Sequence, residues 1–456
     1  MREVKSIVKR QKEFFGTDRT KSVDFRLQML QRLEDAIRAN EELILSALYE
    51  DLSKSRAEAY MSELAMVYAE LRDARKHVKK WSRPQRVRGT VSTFHARNYI
   101  YREPYGVVLI LAPWNYPFNL TIAPLVAAIA AGNCAVLKCS KESRHTARVL
   151  GKLLNTTFAE SYIFCVDADT EYDEVLHQRY DYIFFTGSAR VGRLILRAAS
   201  EDLIPVSLEL GGKSPCIVDE TADLRLAAKR IAWGKLLNAG QTCIAVDYVV
   251  VHNRVKEKFI QALWEEIARR YPDAVNNETY PKIINERHYE RLLALIEAER
   301  EVIGGQRNDA ARRIEPTILP HADFDHEIMQ EEIFGPLLPV IGYDDIGRVL
   351  DTIKAREKPL ACYIFSQKKE NAERIISSLS YGGGCVNDVV VQIANHRLPF
   401  GGVGHSGMGS YHGRYGFETF SHKKSVVRNT ALLDVPTRYA PFNEKKLKEL
   451  RRLLRS

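Results

Sequence analysis

Apolar residues in the N-terminal part of the chain recur at intervals of three and four positions. Leu30, Leu33 and Ile37 follow this spacing, and a second run with the same spacing extends from 64 to 71. Such spacing places the apolar side chains on one face of a helix. We therefore predict that residues 1 to about 80 are mainly helical and cover one face of a sheet.

Short runs rich in β-branched and aromatic residues come next, and stretches with helical spacing separate them. The runs lie at 106–112, 134–138, 162–166 and 181–186. Strands that alternate with helices are typical of parallel βαβ units. This region therefore predicts a doubly wound, parallel-sheet nucleotide-binding domain of the α/β class.

The same alternation continues beyond this region, and Gly211 and Gly212 favour a crossing into a second α/β domain. We place the nucleotide-binding domain at 1–82 and 104–208, and the second, catalytic domain at 209–410. The remaining segments are 83–103 and 411–435, which fit neither core, and 436–456, which is predicted to form a basic C-terminal helix or tail.

The segment Ala239-Gly240-Gln241-Thr242-Cys243 places a thiol after a bend of small residues. A thiolate is a strong nucleophile near neutral pH when its surroundings favour the charged form. We expect Gly240 to leave room for attack at the sulfur. A single cysteine is more often a small buried apolar residue, so the hypothesis that Cys243 is a nucleophile depends on other segments.

Two further segments supply groups that would support such a nucleophile. Glu209 follows an apolar run, and partial burial would raise its pKa enough to make it a general base for water. Asn115 lies between Pro113 and Pro117, which hold the backbone rigid, so its amide is a candidate donor to negative charge on oxygen. Taken singly, an exposed carboxylate and an asparagine in a proline turn are simpler interpretations.

Two more segments carry candidate contacts to a cofactor. Gly187 and Ser188 join an apolar strand to a helical pattern, where free amide groups would suit a pyrophosphate. The spacing to Gly192 differs from the common glycine fingerprint for dinucleotides. Glu332 is a candidate acceptor for ribose hydroxyls, and Phe334 is a candidate packing partner for a nicotinamide. A solvated carboxylate and a core aromatic residue are the alternatives.

Together these segments resemble the aldehyde dehydrogenase superfamily, in the family's order from about Gly106 to Phe420. Segments 329–339 and 398–409 are most similar to the class 3 branch, which includes enzymes for fatty and aromatic aldehydes. The resemblance implies NAD(P)-dependent oxidation of an aldehyde to a carboxylic acid. Cys243 would form a thiohemiacetal and then a thioester, Asn115 and the Cys243 N–H would hold the oxyanion, and Glu209 would activate the hydrolytic water.

The resemblance also implies the residues that bind the cofactor. They are Lys138 for the adenosine ribose, Gly187 and Ser188 for the pyrophosphate, and Glu332 for the nicotinamide ribose, with Trp114 and Phe334 nearby. Lys141 stands where the family usually has an acid that repels a 2′-phosphate. We therefore expect NAD as first choice with more tolerance of NADP than is usual; replacement of the acid by Glu142 through a one-residue shift is the alternative.

By the same resemblance, 83–103 and 411–435 form a small β oligomerisation arm that pairs subunits by strand addition, which implies a homodimer.

Two alternatives to the hydrolytic reaction stay open. In the first, coenzyme A takes the acyl group from Cys243, and Glu209 argues against it because its role is to activate water. In the second, the protein keeps the fold without catalysis, and the complete set of candidate residues argues against that.

We further expect Tyr105, Tyr116 and Tyr411 to line an apolar substrate channel.

Composition narrows the class of protein without pointing to a particular reaction. The chain has 456 residues, of which 45% are hydrophobic, enough for sizeable cores. Its net charge is +9, but the basic residues are scattered among acids, so we expect no nucleic-acid partner. Segment 445–455 is basic and has leucines at helical spacing. A helix packed on its own protein is favoured there over contact with an anionic membrane surface.

Seven cysteines occur, and none forms the closely spaced pairs typical of structural zinc, so we predict no metal. Most of them lie in or near apolar runs, which is typical of a reducing compartment. The N-terminus is polar and no apolar leader-like segment follows it, so we expect a cytoplasmic protein. The longest apolar stretch, 120–131, is too short to span a membrane.

Overall fold

The computed structural model describes residues 4–454. Positions 1–3 and 455–456 of the predicted terminal segments lie outside the described residues. The helices are α1 (Val4–Phe15), α2 (Val23–Ala39), α3 (Glu41–Leu52), α4 (Arg56–Ala59), α5 (Ala65–Trp81), α6 (Asn119–Ala131), α7 (Arg144–Thr157), α8 (Tyr172–Leu176), α9 (Ala189–Glu201), α10 (Leu224–Leu236), α11 (Asn253–Arg270), α12 (Glu286–Glu297), α13 (Ile346–Lys354), α14 (Lys369–Ser378), α15 (Gly413–Thr419) and α16 (Glu444–Leu454).

The strands form three larger sheets and one short hairpin. They are β1 (Gln85–Val87), β2 (Arg97–Pro104), β3 (Val107–Leu111), β4 (Cys134–Lys138), β5 (Ile163–Cys165), β6 (Tyr182–Thr186), β7 (Val206–Glu209), β8 (Pro215–Val218), β9 (Tyr248–His252), β10 (Arg307–Asn308), β11 (Arg313–Ile314), β12 (Thr317–Leu319), β13 (Leu337–Tyr343), β14 (Ala361–Phe365), β15 (Gly383–Val386), β16 (Gly407–Met408) and β17 (Ser421–Arg428).

The first sheet has the strand order β16-β7-β6-β3-β4-β5, and all its strands except β16 run parallel. Every residue of β3, β4 and β6 is buried, as expected for parallel strands covered on both faces. The chain adds β4 and β5 on one side of β3, and then β6 and β7 on the other. This reversal between β3 and β6 makes the sheet doubly wound, which confirms the predicted fold class, and ligands bind at such a point.

The second sheet has the order β12-β13-β9-β8-β14-β15, and all its strands are parallel. The chain leaves the first sheet at Glu209 and enters the second at Pro215. Gly212 permits this short crossing because its φ is +148° and a Cβ there would meet the backbone of Pro359. A short link of this kind holds the end of β7 close to the second domain.

The third sheet is antiparallel with the order β1-β2-β17. Strand β17 pairs with β2 along its full length, from Ser421 opposite Pro104 to Arg428 opposite Arg97. Apart from Pro104 at the end of β2, these strands lie within the two segments predicted to form the oligomerisation arm.

Two elements depart from the predicted domain bounds. Strand β16 pairs with β7 of the first sheet, although it lies within the predicted catalytic segment 209–410. Helix α15 packs on the N-terminal helices, where the Phe417 and Trp81 ring centroids are 5.6 Å apart, although the predicted arm begins at 411. A two-residue strand and a short helix carry too little periodicity for the sequence pattern to assign them.

The C-terminal helix α16 forms within the segment predicted to contain it. Among residues 4–454, none of the helices combines the length and the apolar character that a membrane crossing requires. All the cysteines are free thiols.

Candidate active site

Four strands of the first sheet end on, or just before, residues singled out from the sequence. Strand β3 leads into Trp114 and Asn115, β4 ends at Lys138, β6 leads into Gly187 and β7 ends at Glu209. Because these strands are parallel, their carboxyl ends lie at one edge of the sheet. The fold therefore brings segments up to about a hundred residues apart in sequence to the same crevice.

The cysteine loop, residues 237–243, begins where α10 ends. Asn238, Ala239 and Gly240 all have left-handed backbone conformations, with φ values of 53°, 52° and 77°. Side chains disfavour this conformation, so surrounding contacts must hold the first two residues in it. The loop therefore enters the site in a backbone shape that its neighbours impose.

The expected role of Gly240 was wrong. We expected it to leave room beside the sulfur, but the place of its missing Cβ is taken by the carbonyl of Gly335. The glycine instead lets the cysteine loop pack directly on the turn that carries Phe334, which itself has a φ of 50°. Contact between these two turns brings Cys243 and the Glu332 segment into one cluster.

Asn115 is almost fully buried and points toward the cysteine loop. Its Nδ2 donates a hydrogen bond of 3.0 Å to the carbonyl oxygen of Gln241. The adjacent Tyr116 hydroxyl lies 2.6 Å from Oγ1 of Thr242. A side-chain amide has two N–H groups, so one is fixed on the loop and the second remains for another acceptor.

Burial raises the pKa values of the thiol and of the carboxyl groups near it. Cys243 retains some exposure, yet burial raises the pKa of its thiol to about 12, and the nearby Glu332 and Glu209 carboxylates raise it as well. Burial raises the pKa of Glu332 to about 8, and Asp247 adds to this rise. Burial also raises the pKa of Glu209 well above its usual range.

Glu209 is the most unusual of these groups. Only 2% of its surface is exposed, and neither carboxylate oxygen has a hydrogen-bond partner among residues 4–454. A buried carboxyl without partners is costly in free energy and is rare away from functional sites. Its burial close to Cys243 therefore makes Glu209 a candidate for a role in a reaction at the sulfur.

The model of the Aldehyde dehydrogenase family matches residues 1–426. The chain belongs to the aldehyde dehydrogenase family. This finding confirms the family resemblance, and it makes the protein an oxidoreductase that acts on aldehydes.

Curated relatives place this aldehyde dehydrogenase near class 3 members, as the sequence predicted. The 4,4'-diaponeurosporen-aldehyde dehydrogenase of Staphylococcus aureus is 45% identical over 438 residues, which cover 95% of each chain. Two Rattus norvegicus proteins are similar as well. Aldehyde dehydrogenase family 3 member B1 is 41% identical over 96% of this chain and 95% of its own. The dimeric NADP-preferring aldehyde dehydrogenase is 42% identical over 95% of this chain and 96% of its own.

A solved structure has the same fold. The substrate-bound state of Staphylococcus aureus AldH superposes on this aldehyde dehydrogenase with a TM-score of 0.96. The two chains are 42% identical, and 99% of each is covered.

In this aldehyde dehydrogenase, the residues predicted to contact nicotinamide lie close together. The rings of Trp114 and Phe334 pack edge to face with centroids 5.4 Å apart. The Glu332 carboxylate lies against Gly211, where any side chain would collide with it. Glu332 therefore sits over the turn that follows Glu209.

Gly187 and Ser188 each have a local structural role at the predicted pyrophosphate site. A Cβ at Gly187 would collide with the ring of Phe185, so only glycine fits. The Ser188 hydroxyl caps α9 by accepting a hydrogen bond from the Val191 N–H. The start of α9 nevertheless lies at the crevice edge, where backbone N–H groups suit an anion.

The predicted adenosine site is cationic. Lys138 Nζ donates to the Ala168 carbonyl at 2.7 Å, and Lys141 is exposed. The Glu142 carboxylate accepts a hydrogen bond of 2.8 Å from Asn285 of the second domain. Glu142 is thereby engaged with the second domain, which weakens the suggestion that it replaces the missing acid at 141.

The three tyrosines expected to line a channel have different positions. Tyr116 and Tyr411 are buried beside the site, and the Tyr411 hydroxyl has no hydrogen-bond partner among the described residues. Tyr105 does not belong with them, because its ring packs on Tyr182 at 4.9 Å and faces His422 of the antiparallel sheet. The channel expectation was therefore wrong for Tyr105.

Sequence reasoning missed several buried charged groups near the site. They are Lys54 and Glu63, which lie under Asn115, and Lys235 of α10, and the half-buried Glu58 lies beside the cysteine loop. Burial lowers the pKa of Lys235 to about 8, and its Nζ has no hydrogen-bond partner within residues 4–454. A charge at one position of a helical pattern normally indicates an exposed residue, so the pattern held no signal for them.

The raised pKa of Cys243 predicts its pattern of alkylation. The rate with iodoacetamide should keep rising from about pH 6 to about pH 10, because only the thiolate reacts. Glu332→Gln should accelerate alkylation near the upper limit, where the native carboxylate is charged and repels the thiolate. The two rates should converge at the lower limit, where Glu332 is protonated. Peptide mass spectrometry measures the rate at Cys243.

Glu331→Gln is the matched control, because Glu331 is the exposed neighbouring acid and should leave the rate unchanged. A plateau in the wild-type rate near neutral pH would contradict the raised pKa. Equal rates for wild type and Glu332→Gln at high pH would show that Glu332 does not act on the thiol.

Proposed function

We propose that this enzyme oxidises an aldehyde to a carboxylic acid through a covalent intermediate on Cys243. The observation that carries the proposal is the buried carboxyl of Glu209, which has no hydrogen-bond partner in the described part of the chain and lies within electrostatic range of the thiol. The ionised form of a carboxyl with a raised pKa is a stronger base toward water than an ordinary carboxylate. One N–H of the Asn115 amide is bonded to the cysteine loop, which orients the second N–H as a donor to an oxyanion.

In the first half of the reaction, the Cys243 sulfur attacks the aldehyde carbon. Because the thiol is protonated at rest, attack requires transfer of its proton, and the ionised form of Glu332, whose pKa burial raises to about 8, suits the acceptor. The free amide N–H of Asn115 and the backbone N–H of Cys243 stabilise the resulting oxyanion. A donor of this kind is worth about 3 kcal/mol in the transition state.

In the second half, a thioester on Cys243 is hydrolysed. NAD or NADP, when bound, supplies the hydride acceptor that makes the thioester possible. Glu209 in its ionised form takes a proton from the attacking water and then passes it to the departing Cys243 sulfur, so the carboxylic acid leaves and the thiol is restored. Division into two steps gives each a lower barrier than direct oxidation.

The proposed role of Glu209 predicts that hydrolysis of the thioester is the slow step in its variant. Glu209→Gln removes the base but keeps the size, so the first turnover should release about one equivalent of NAD(P)H rapidly, followed by turnover about a hundredfold slower. Stopped-flow absorbance measures both phases with a medium-chain aldehyde. Asp219→Asn, a substitution of an acid at the end of β8 away from this crevice, is the control and should keep wild-type turnover.

Two outcomes would contradict the proposal. Loss of the rapid first phase in Glu209→Gln would show that the carboxylate acts before hydrolysis. Wild-type turnover that depends on coenzyme A and yields an acyl-CoA would show that a thiol, and not water, takes the acyl group.

For the cofactor, we infer that the enzyme binds NAD and accepts NADP. Lys141 supplies positive charge beside Lys138, where an acid would repel a 2′-phosphate. Glu142 is hydrogen-bonded to Asn285, which supports a site without a competing acid. The dimeric NADP-preferring rat relative supports the same inference.

Charge reversal at this position should change cofactor choice. Lys141→Glu should lower kcat/KM for NADP about tenfold, because a carboxylate would repel the phosphate, and should leave kcat/KM for NAD within about twofold. Steady-state kinetics with both cofactors provides the values. Lys152→Glu, an exposed charge reversal on α7, is the control. If the ratio of kcat/KM for NADP to kcat/KM for NAD is unchanged in Lys141→Glu, Lys141 does not determine cofactor choice.

We also propose a homodimer formed through the antiparallel sheet. Strand β17 forms one edge of that sheet, and an edge strand can pair with a second copy. Sedimentation velocity should give about twice the subunit mass of 52.0 kDa at micromolar concentration. A single species at the subunit mass would contradict the proposal.

A further inference from the structure

A fully buried ion pair lies directly under Asn115. Lys54 follows α3, and its Nζ donates hydrogen bonds to Oε1 of Glu63 at 2.6 Å and to the backbone carbonyl of Asn115 at 2.8 Å. Both charged side chains have no exposed surface. The Nζ also lies 3.9 Å from the centroid of the Tyr116 ring. Three contacts of one ammonium thus fall on Asn115, its neighbour and Glu63.

Glu63 holds the other end of the same segment. Its Oε2 accepts hydrogen bonds from the backbone N–H groups of Phe118 at 2.9 Å and Asn119 at 3.1 Å. Asn119 is the first residue of α6, so the carboxylate also neutralises the positive end of that helix. Lys54 and Glu63 together fix the backbone from 115 to 119.

The same N-terminal segment also reaches the cysteine loop. Oε1 of Glu58 accepts a hydrogen bond of 2.6 Å from the N–H of Asn238, one of the left-handed residues. Nδ2 of Asn238 in turn donates to the Asn115 carbonyl at 2.9 Å. The Asn115 carbonyl therefore receives two donors, one from Lys54 and one from the loop that carries Cys243.

We infer that Lys54 is a positioning residue, which sets the direction of the Asn115 amide toward the oxyanion; this inference rests on the proposed function. Lys54 touches no reacting atom, since it is sealed beneath the backbone of Asn115. A buried ion pair costs desolvation free energy, and apolar residues of equal size often fold as well. What the ion pair adds is a fixed direction for the Asn115 carbonyl and hence for its side chain.

The expected effect on catalysis is large because the oxyanion contact depends on geometry. Displacement of a catalytic group by about 1 Å can cost about a hundredfold in rate. Loss of the Lys54 contact frees the Asn115 carbonyl on one side. We therefore expect kcat to fall, while KM for the cofactor stays close to wild type.

The test separates positioning from stability with a charge-neutral pair of substitutions. Lys54→Met alone leaves the Glu63 charge buried and unpaired, so that variant should be unstable. Lys54→Met with Glu63→Gln removes both charges and keeps an acceptor oxygen for the N–H groups of Phe118 and Asn119. This double variant should recover thermal stability, yet its kcat should be about ten- to a hundredfold below wild type.

Arg26→Met is the matched control. Arg26 is a second buried cation, and it donates to the carbonyl of Ala130 at the opposite end of α6. Its loss should lower thermal stability and leave kcat within about twofold of wild type, because Asn115 is not among its contacts.

A double-mutant cycle with Asn115→Ala decides whether Lys54 acts through Asn115. If it does, adding Lys54→Met and Glu63→Gln to Asn115→Ala should lower kcat by less than about twofold further. Multiplicative losses in the cycle, or a folded charge-neutral variant with wild-type kcat, would overturn the inference. Absence of aldehyde oxidation in the wild-type enzyme would instead reject the proposed function, and the inference with it.

Discussion

The hydrogen bond from the Asn115 amide to the Gln241 carbonyl joins the two domains at the candidate active site. One partner follows β3 of the first sheet, and the other precedes Cys243 in the second domain. The Gln241 carbonyl directly follows three consecutive residues with left-handed conformations, at 238–240. The loop is held there by Glu58 on one side and by the turn at Gly335 on the other. The shape of the active site is therefore set by contacts from elements distant in sequence.

The electrostatics of the site favour a resting state without charge on the sulfur. Burial and two nearby carboxylates raise the pKa of Cys243, and burial raises the pKa of Glu209 and Glu332. A protonated thiol is protected from oxidation and from unwanted alkylation, whereas a permanent thiolate would react with oxidants and with alkylating agents. In the proposed mechanism, proton transfer to a carboxylate produces the thiolate when an aldehyde is present, so reactivity is coupled to substrate.

The sequence was sufficient for the fold class because strands β3, β4 and β6 are apolar throughout and alternate with amphipathic helices. The candidate catalytic residues could be found because each lies in a contiguous motif. Lys54 and Glu63 could not be found in this way, since their partners are 61 and 55 residues away along the chain. The place occupied by Gly335 beside Gly240 is likewise a property of the folded chain. The local sequence pattern thus predicts secondary-structure elements and motifs, whereas tertiary contacts determine which residues hold those motifs in place.

Covalent attachment of the acyl group to Cys243 is the central claim, and peptide mapping tests it most directly. Enzyme mixed with excess cofactor and aldehyde is quenched in acid within the first turnover, digested and analysed by mass spectrometry. An added acyl mass is expected on the peptide that contains Cys243 and on no other cysteine peptide. Acylation of a different residue, or acid formation without any acylated peptide at any quench time, would contradict it.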